Sequence, residues 1–295
     1  GYEIEYWISA MDPVNPDGLF IPQLDAAVIN GSLPEPVDPR YPGVSGCIIN
    51  LGDYWDNNII REKSETIIDL ADKVENQKVK VYNILKNAAQ LKDEVKKIVT
   101  GHLNIEKIQE LIDELTTQII NKQMGEKHFF ASAVTAEGIV NYLDELSAEC
   151  RKRFIFIGPP GSGKSTVISE IARRAATRGY RVEYYHCGLE PDNISMVIIR
   201  DLDLAMVDAG SKEMLVKPWD RIIDMGAYLD EYNEDGLAEK ANEVCRIYET
   251  LIEEAQSELK NTAQTLRELK KIYSSSMDFE QLDKKRYDVW KEITR

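Results

Sequence analysis

Basic residues are scarce in this sequence. Lys and Arg number 36 against 51 Asp and Glu, which gives a formal net charge of −15. Because nonspecific binding to nucleic acid or to an anionic membrane needs a basic surface, we expect neither as a partner. Arg151, Lys152 and Arg153 form a tight basic group just before a predicted strand, and we expect them to be solvated at the entrance to that strand.

Cysteines are also few, and none lies in a CxxC pair. The four are Cys47, Cys150, Cys187 and Cys245. This spacing favours neither a zinc site nor a disulfide framework, and it is typical of a reducing cytoplasm. No apolar run approaches the roughly 18 residues that span a bilayer, and no signal peptide is visible at Gly1. We therefore predict a cytoplasmic protein and, since the chain does not begin with Met, a natural start upstream of Gly1.

The chain contains an internal duplication. Thirty residues from Gly1 align without a gap with thirty from Gly179, at an offset of 178, and ten of them are identical. About two identities are expected from background composition. After a proline-rich stretch the register resumes at an offset of 174, where residues 48–52 match residues 222–226. A period this long indicates two tandem domains, because solenoid repeats are much shorter.

Each copy has an α/β part followed by a helical part. In the second copy, apolar runs at residues 154–157, 182–185, 197–199 and 204–207 predict buried strands, and 128–133 a further one. Strands that alternate with helices are typical of a doubly wound parallel sheet. Long apolar stripes, with a break near residues 101–104 and again near 274–278, predict helical hairpins.

The predicted fold is therefore α/β, with two tandem P-loop NTPase-like parallel-sheet domains, each followed by a long antiparallel helical hairpin. The first domain is expected at residues 1–127, with its α/β part at 1–57 and its hairpin at 58–124. The second is expected at 128–295, with its α/β part at 128–230 and its hairpin at 236–295. The hairpin stripes favour ordinary helix packing, and a protein partner is the alternative.

A phosphate-binding loop is the strongest functional signal. Residues 158–165 read GPPGSGKS and satisfy GxxxxGK[ST]. The pattern follows an apolar strand and opens a helical segment at 166–177, as a phosphate loop requires. The alternative is a glycine-rich turn without a ligand. The residues predicted to bind the nucleotide are Gly158, Pro159, Pro160, Gly161, Ser162, Gly163, Lys164, Ser165 and Thr166.

The residue types in this loop suit a triphosphate. Gly161 and Gly163 allow backbone conformations that point successive N–H groups at phosphate oxygens, and the start of the helix adds its positive dipole end. We expect Lys164 to reach the β and γ phosphates. Ser165 is expected to place its hydroxyl on Mg²⁺, and Thr166 to contact the α phosphate.

A second acid usually holds the metal at the end of a neighbouring strand. Asp208 follows four apolar residues and has this form, although a turn cap is the alternative. No Glu follows Asp208, so the adjacent base of many motor-type ATPases is absent there. Candidates for orienting water or a substrate hydroxyl follow the strands, with structural hydrogen bonding or turn capping as the alternatives. These candidates are His186, Glu190, Asp192 and Asp203.

Two arginines, one cysteine and the absence of a guanine-binding motif give weaker indications of function. Arg200 or Arg221 would supply a charge-stabilising arginine, but the sequence selects neither. Cys187 is expected to be a small buried residue and not a nucleophile. No NKxD element that reads guanine is visible, which favours adenine and hence ATP.

The first copy lacks the counterpart of residues 128–178, and with it any phosphate loop. Asn30 stands where the second copy has Asp208, and residues 7–9 replace Tyr185, His186 and Cys187. Asn is neutral and a poorer magnesium ligand than Asp. We therefore expect the first copy to be a weak or regulatory site and the second to be the working one.

The sequence resembles a family of bacterial tandem P-loop ATPases, many from Firmicutes. The resemblance covers nearly the whole chain and rests on HFFASAVTAEG, GPPGSGKST, YYHCGLEPDNISMVII, LAMVDAG and KKIYSSSMDF. It implies a phosphate loop in both halves of a complete member. This chain departs from that pattern at Asn30, at residues 7–9 and at Pro22, which stands in the place of Arg200.

The leading functional prediction is Mg-dependent ATP hydrolysis coupled to rearrangement of the two halves. One alternative is a nucleotide or small-molecule kinase, in which the acids near His186 bind an acceptor. The other is a nucleotide-gated scaffold with little turnover, whose hairpins contact a protein partner. An oligomer is compatible with each of the three.

Overall fold

The computed structural model describes residues 1–32, 37–44, 46–117, 126–210, 214–230 and 236–294. The chain divides into two compact units. The first unit comprises Gly1–Val81, Thr135–Glu137 and Gln256–Arg295, and the second comprises Tyr82–Val134 and Gly138–Ala255. Each unit therefore contains residues from both copies of the duplication. The predicted end of the first hairpin, at residue 124, lies outside the described residues.

Ten strands and seven α-helices form the described part of the chain. The strands are β1 (Glu5–Ile8), β2 (Pro16–Ile21), β3 (Ala26–Ile29), β4 (Glu126–Thr135), β5 (Gly138–Asn141), β6 (Lys152–Ile157), β7 (Val182–Cys187), β8 (Ile194–Ile199), β9 (Leu204–Asp208) and β10 (Arg221–Asp224). The helices are α1 (Asn57–Glu62), α2 (Ser64–Thr100), α3 (Ile105–Thr117), α4 (Leu143–Leu146), α5 (Lys164–Thr177), α6 (Leu237–Ser275) and α7 (Phe279–Ile293). All of the apolar runs predicted as strands in the second copy are strands.

The sheets differ from the prediction. The first unit holds a three-stranded antiparallel sheet, β1-β2-β3. The second holds a seven-stranded mixed sheet in the order β10-β6-β9-β8-β7-β4-β5. Strands β10, β6 and β9 are parallel, as are β4 and β7, but β8 is antiparallel to both of its neighbours. The prediction of two tandem parallel-sheet P-loop domains with hairpins is therefore wrong.

Short connections explain the mixed sheet. Only residues 200–203 join β8 to β9, and only residues 188–193 join β7 to β8. A parallel pair needs a crossover of about a dozen residues or more, so β8 must reverse direction at both ends. The apolar runs form strands as predicted, but the direction of each strand depends on these links.

The helical ends also pack differently from a hairpin. In the second unit, α3 packs on α5, and their apolar faces share one core. In the first unit, α7 packs on the 3₁₀ helix Leu51–Tyr54. A helix that ends one copy thus lies on the α/β part of the other copy, because that is where its apolar stripe finds a matching surface.

The duplication recurs in the structure. Strand β2 and strand β8 cover aligned residues and each leads into a 3₁₀ helix. Each 3₁₀ helix ends at an aspartate with positive φ, Asp25 at 48° and Asp203 at 49°. Isolated bridges join Leu103 to Leu229 in the second unit and Trp55 to Met277 in the first. The members of these two bridges are related by the offset of 174, so each copy contacts the other in the same way.

The core of the second unit lies on both faces of the seven-stranded sheet. One side packs β6, β8 and β9 against α3 and α5, with Phe156, Val167 and Ile199 fully buried. Arg153 is also fully buried, contrary to the solvated position expected from the sequence. Its guanidinium donates to both carboxylate oxygens of Asp220, at 2.9 and 2.6 Å. This pairing with a buried carboxylate is what makes burial of the charge tolerable.

Candidate nucleotide site

The phosphate loop lies between the buried strand β6 and helix α5. Three of its glycines have positive φ, Gly158 at 131°, Gly161 at 86° and Gly163 at 84°. Residues with a Cβ rarely adopt these angles. Gly163 is the N-cap of α5 and has no side chain to bond the first amides of the helix, which leaves those N–H groups for an anion.

Lys164 lies beneath the loop and is only 5% exposed. Its ammonium donates to the carbonyl oxygens of Gly158 and Pro159, each at 2.8 Å. Burial lowers the pKa of Lys164, and the neighbouring charge of Lys92 acts in the same direction, while Asp208 opposes the shift. The loop carbonyls thus hold an ammonium group at the place where the motif requires it.

Asp208 is brought to this ammonium by strand pairing. It ends β9, where it is in register with Phe156 of the parallel strand β6. One carboxylate oxygen of Asp208 lies 3.8 Å from the Nζ of Lys164. Ser165 is half-buried at the first turn of α5, whereas Thr166 is exposed. The structure therefore brings together the residues predicted to bind phosphate and metal.

Glu190 lies in the loop after β7 and forms ion pairs with Lys92 and Lys96 of α2. Its side chain is only 10% exposed. Burial raises the pKa of the Glu190 carboxyl, but the two ammonium groups outweigh burial, and the net pKa is lowered. An ionised carboxylate held by two lysines is firmly positioned beside the loop.

Helix α2 lies directly against the phosphate loop. A Cβ at Gly161 would be 2.7 Å from both the Cα and the carbonyl oxygen of Lys96. The hydroxyl of Thr100 donates to the carbonyl oxygen of Gly161 at 3.4 Å. Sequence reasoning missed Lys92, Lys96 and Thr100, because they belong to the helical part of the first copy.

The remaining candidates on the loop side of the sheet are engaged differently. His186 is the next-to-last residue of β7 and contacts the carbonyl oxygen of Pro191 at 2.5 Å through Nδ1. Its Nε2 lies 2.9 Å from Nδ1 of His128, so the imidazole is held in a structural network. Asp192 is exposed, and Cys187 is half-buried at the end of β7.

Three other candidates lie at the opposite ends of the strands from the phosphate loop. Asp203 immediately precedes β9, whereas Asp208 ends it. Arg200 pairs with Glu183 at 2.9 Å. Arg221 begins β10 in register with Phe154, near the start of β6, whereas the phosphate loop follows the end of β6. The structure does not bring these residues to the loop.

The carboxylates and hydroxyls near the loop determine which kind of metal site is available. Among the described residues, no group of three or more His, Cys, Asp and Glu side chains is arranged to hold a metal ion. A phosphate-loop magnesium site needs only one hydroxyl and one carboxylate, since phosphate oxygens and water complete the coordination. Ser165 and Asp208 fit that requirement.

Comparisons with known proteins add no relative. No protein-family model, curated protein or solved structure matches the chain. The resemblance to tandem P-loop ATPases therefore stays a prediction. In the described part of the chain, no helix is both long and apolar enough to cross a membrane.

Proposed function

We propose that the loop at residues 158–166 binds a magnesium nucleoside triphosphate, with ATP as the favoured nucleotide, and that the protein hydrolyses it. The supporting observation is the position of the GPPGSGKS segment between a buried strand and a helix, with Lys164 and Asp208 3.8 Å apart beside it. Fixed amides, one ammonium and one carboxylate are the parts that phosphoryl transfer uses.

Each residue has a defined role in this proposal. The amides at the start of α5 bind phosphate oxygens, and Lys164 exchanges the carbonyl oxygens of Gly158 and Pro159 for oxygens of the β and γ phosphates. The hydroxyl of Ser165 and the carboxylate of Asp208 would hold Mg²⁺. When bound, the ion supplies positive charge that neutralises the phosphate oxygens.

The test is calorimetric titration of the whole chain with Mg-ATP and Mg-GTP, together with phosphate release. Lys164→Ala should weaken Mg-ATP binding by about 100-fold, because a buried charge-assisted contact is lost. The matched control is Lys97→Ala, which removes an exposed lysine of α2. Circular dichroism of each variant establishes that it is folded. Equal binding by the two variants would refute the proposal.

Turnover separates hydrolysis from the alternative functions. Phosphate release without an acceptor, reduced by Asp208→Asn, is expected for an ATPase. Formation of ADP and a phosphorylated acceptor on addition of a nucleoside or metabolite, without matching phosphate release, would favour a kinase. Tight Mg-ATP binding without either activity would favour a nucleotide-gated scaffold.

A further inference from the structure

We propose that Lys92 and Lys96 of α2 belong to the nucleotide site and bind the terminal phosphate of the nucleoside triphosphate. The inference rests on the nucleotide binding proposed above and assigns a new part of the same site. It gives the first copy a direct role in a site whose loop belongs to the second copy.

Helix geometry places both lysines on the loop side of α2. Residues four apart share one face of a helix, and Lys96 and Lys92 both pair with Glu190. The backbone of Lys96 lies so close to Gly161 that a Cβ there would be 2.7 Å away. The positive charge of Lys92 is near enough to act on Lys164. The two side chains therefore lie at the loop and not merely on the same helix.

Three ammonium groups lie close together at this place, in a chain whose formal net charge is −15. Those of Lys92, Lys96 and Lys164 pair with the carboxylates of Glu190 and Asp208, and Lys96 also pairs with Asp93 at 3.4 Å. The Asp93 side chain is 61% exposed, whereas the other five groups are largely shielded from solvent. A cluster of shielded ammonium groups next to a phosphate loop is suited to a polyanion.

The first unit supplies an internal comparison. By the two offsets of the duplication, Asp12 corresponds to Glu190 and Lys270 to Lys96. Lys270 donates to Asp12 in the first unit, so one lysine–acid pair is common to both copies. The residue that corresponds to Lys92 is Leu266. Among the described residues, the second lysine is therefore present only in the copy that has a phosphate loop.

Nucleotide binding would change the partners of these lysines. A γ phosphate carries more negative charge than a carboxylate and presents several acceptor oxygens. We expect the two ammonium groups either to bind those oxygens in addition to Glu190 or to release Glu190 and bind the oxygens instead. Since a nucleoside diphosphate lacks that phosphate, Lys92 should contribute to the affinity for ATP and much less to the affinity for ADP.

The experiment is calorimetric titration of the whole chain with Mg-ATP and Mg-ADP. Lys92→Gln should weaken Mg-ATP binding by about 10-fold or more, which corresponds to one lost charge-assisted hydrogen bond. Binding of Mg-ADP should change less than about 3-fold, and Lys92→Arg should retain most of the preference for ATP. The matched controls are Lys97→Gln on the same helix and Lys270→Gln in the first unit, both expected to leave the ATP preference unchanged.

Glu190→Gln provides an independent arm if Lys92→Gln does not fold. It removes the competing carboxylate, so Mg-ATP binding should tighten by about 3-fold or more relative to Mg-ADP. Equal losses for ATP and ADP in Lys92→Gln, or weaker ATP binding in Glu190→Gln, would overturn the inference while leaving the loop proposal intact. Absence of Mg-ATP binding by the unaltered chain would overturn both.

Discussion

Replacing Gly161 by alanine tests how closely α2 lies on the phosphate loop. The new methyl group would be 2.7 Å from the Cα and carbonyl oxygen of Lys96, a distance that requires backbone to move. Gly161 also has φ of 86°, which costs a residue with a Cβ about 1–2 kcal/mol. Overpacking against backbone adds about 1–3 kcal/mol. We expect Gly161→Ala to lower the free energy of unfolding by about 2–5 kcal/mol.

Gly236→Ala is the matched control in the same unit. Gly236 has φ of 65°, but among the described residues, its chain neighbours aside, no atom lies within 4 Å of its ideal Cβ. It should therefore show the left-handed backbone cost alone, about 1–2 kcal/mol. Entropy lost by the unfolded chain on changing glycine to alanine is common to both variants and cancels in the comparison.

Urea unfolding followed by circular dichroism gives the two free energies of unfolding. Hydrogen exchange then locates the change, and amides in the last two turns of α2 should exchange faster in Gly161→Ala than in Gly236→Ala. If both variants lose the same stability and α2 keeps its protection, α2 does not lie on the loop as described.

Three further predictions concern the frame around the site. Arg153→Met should lower the free energy of unfolding, measured in urea, by about 3–5 kcal/mol, because Asp220 keeps a buried, unpaired charge. The control, Arg151→Met at the exposed strand entrance, should lower it by less than about 0.5 kcal/mol. Similar losses in the two variants would contradict the buried pairing of Arg153 with Asp220. Pairing with Arg153 lowers the pKa of Asp220, so its contribution is present above the unfolded pKa of about 3.9 and is lost as the pH falls through the lower folded pKa. The stability difference between the unaltered chain and Asp220→Asn should therefore shrink on acidification from about pH 5 to pH 2, and a constant difference would count against this linkage. Asp203→Gly should raise the thermal unfolding temperature by relieving the left-handed backbone, while Asp203→Val should lower it; the reverse order would show that φ at this position is not the constraint.

The conformation of the segment at residues 158–165, a turn between a strand and a helix, was predictable because its determinants are local. Glycines at fixed spacing determine the backbone, and the apolar run before them determines the strand. The position of Asp208 near the loop was expected because a neighbouring strand was expected to end there, and β9 does pair with β6, the strand that leads into the loop.

The direction of β8 was not predicted, although the signal was present. The segment at residues 200–203 is too short for the crossover that a parallel neighbour needs. The alternation of strands and helices in the rest of the copy favours a parallel sheet, but this short link overrides that preference at β8. The antiparallel β1-β2-β3 sheet of the first copy follows from the same short links.

Lys92 and Lys96 could not be placed from sequence alone. Lys96 is separated from Glu190 by 94 residues, and two lysines on a charged helix face usually indicate a solvated surface. Their location depends on α2 lying against the loop, where Lys96 and Thr100 contact Gly161. The position of the helix depends on tertiary contacts, which the hydrophobic periodicity of the sequence does not specify.

The paired bridges, Leu103 with Leu229 and Trp55 with Met277, make the two copies incomplete when they are separated. A fragment spanning residues 126–295 would leave uncovered the α5 surface on which α3 packs. Two such half-chains could restore these contacts only by associating with each other.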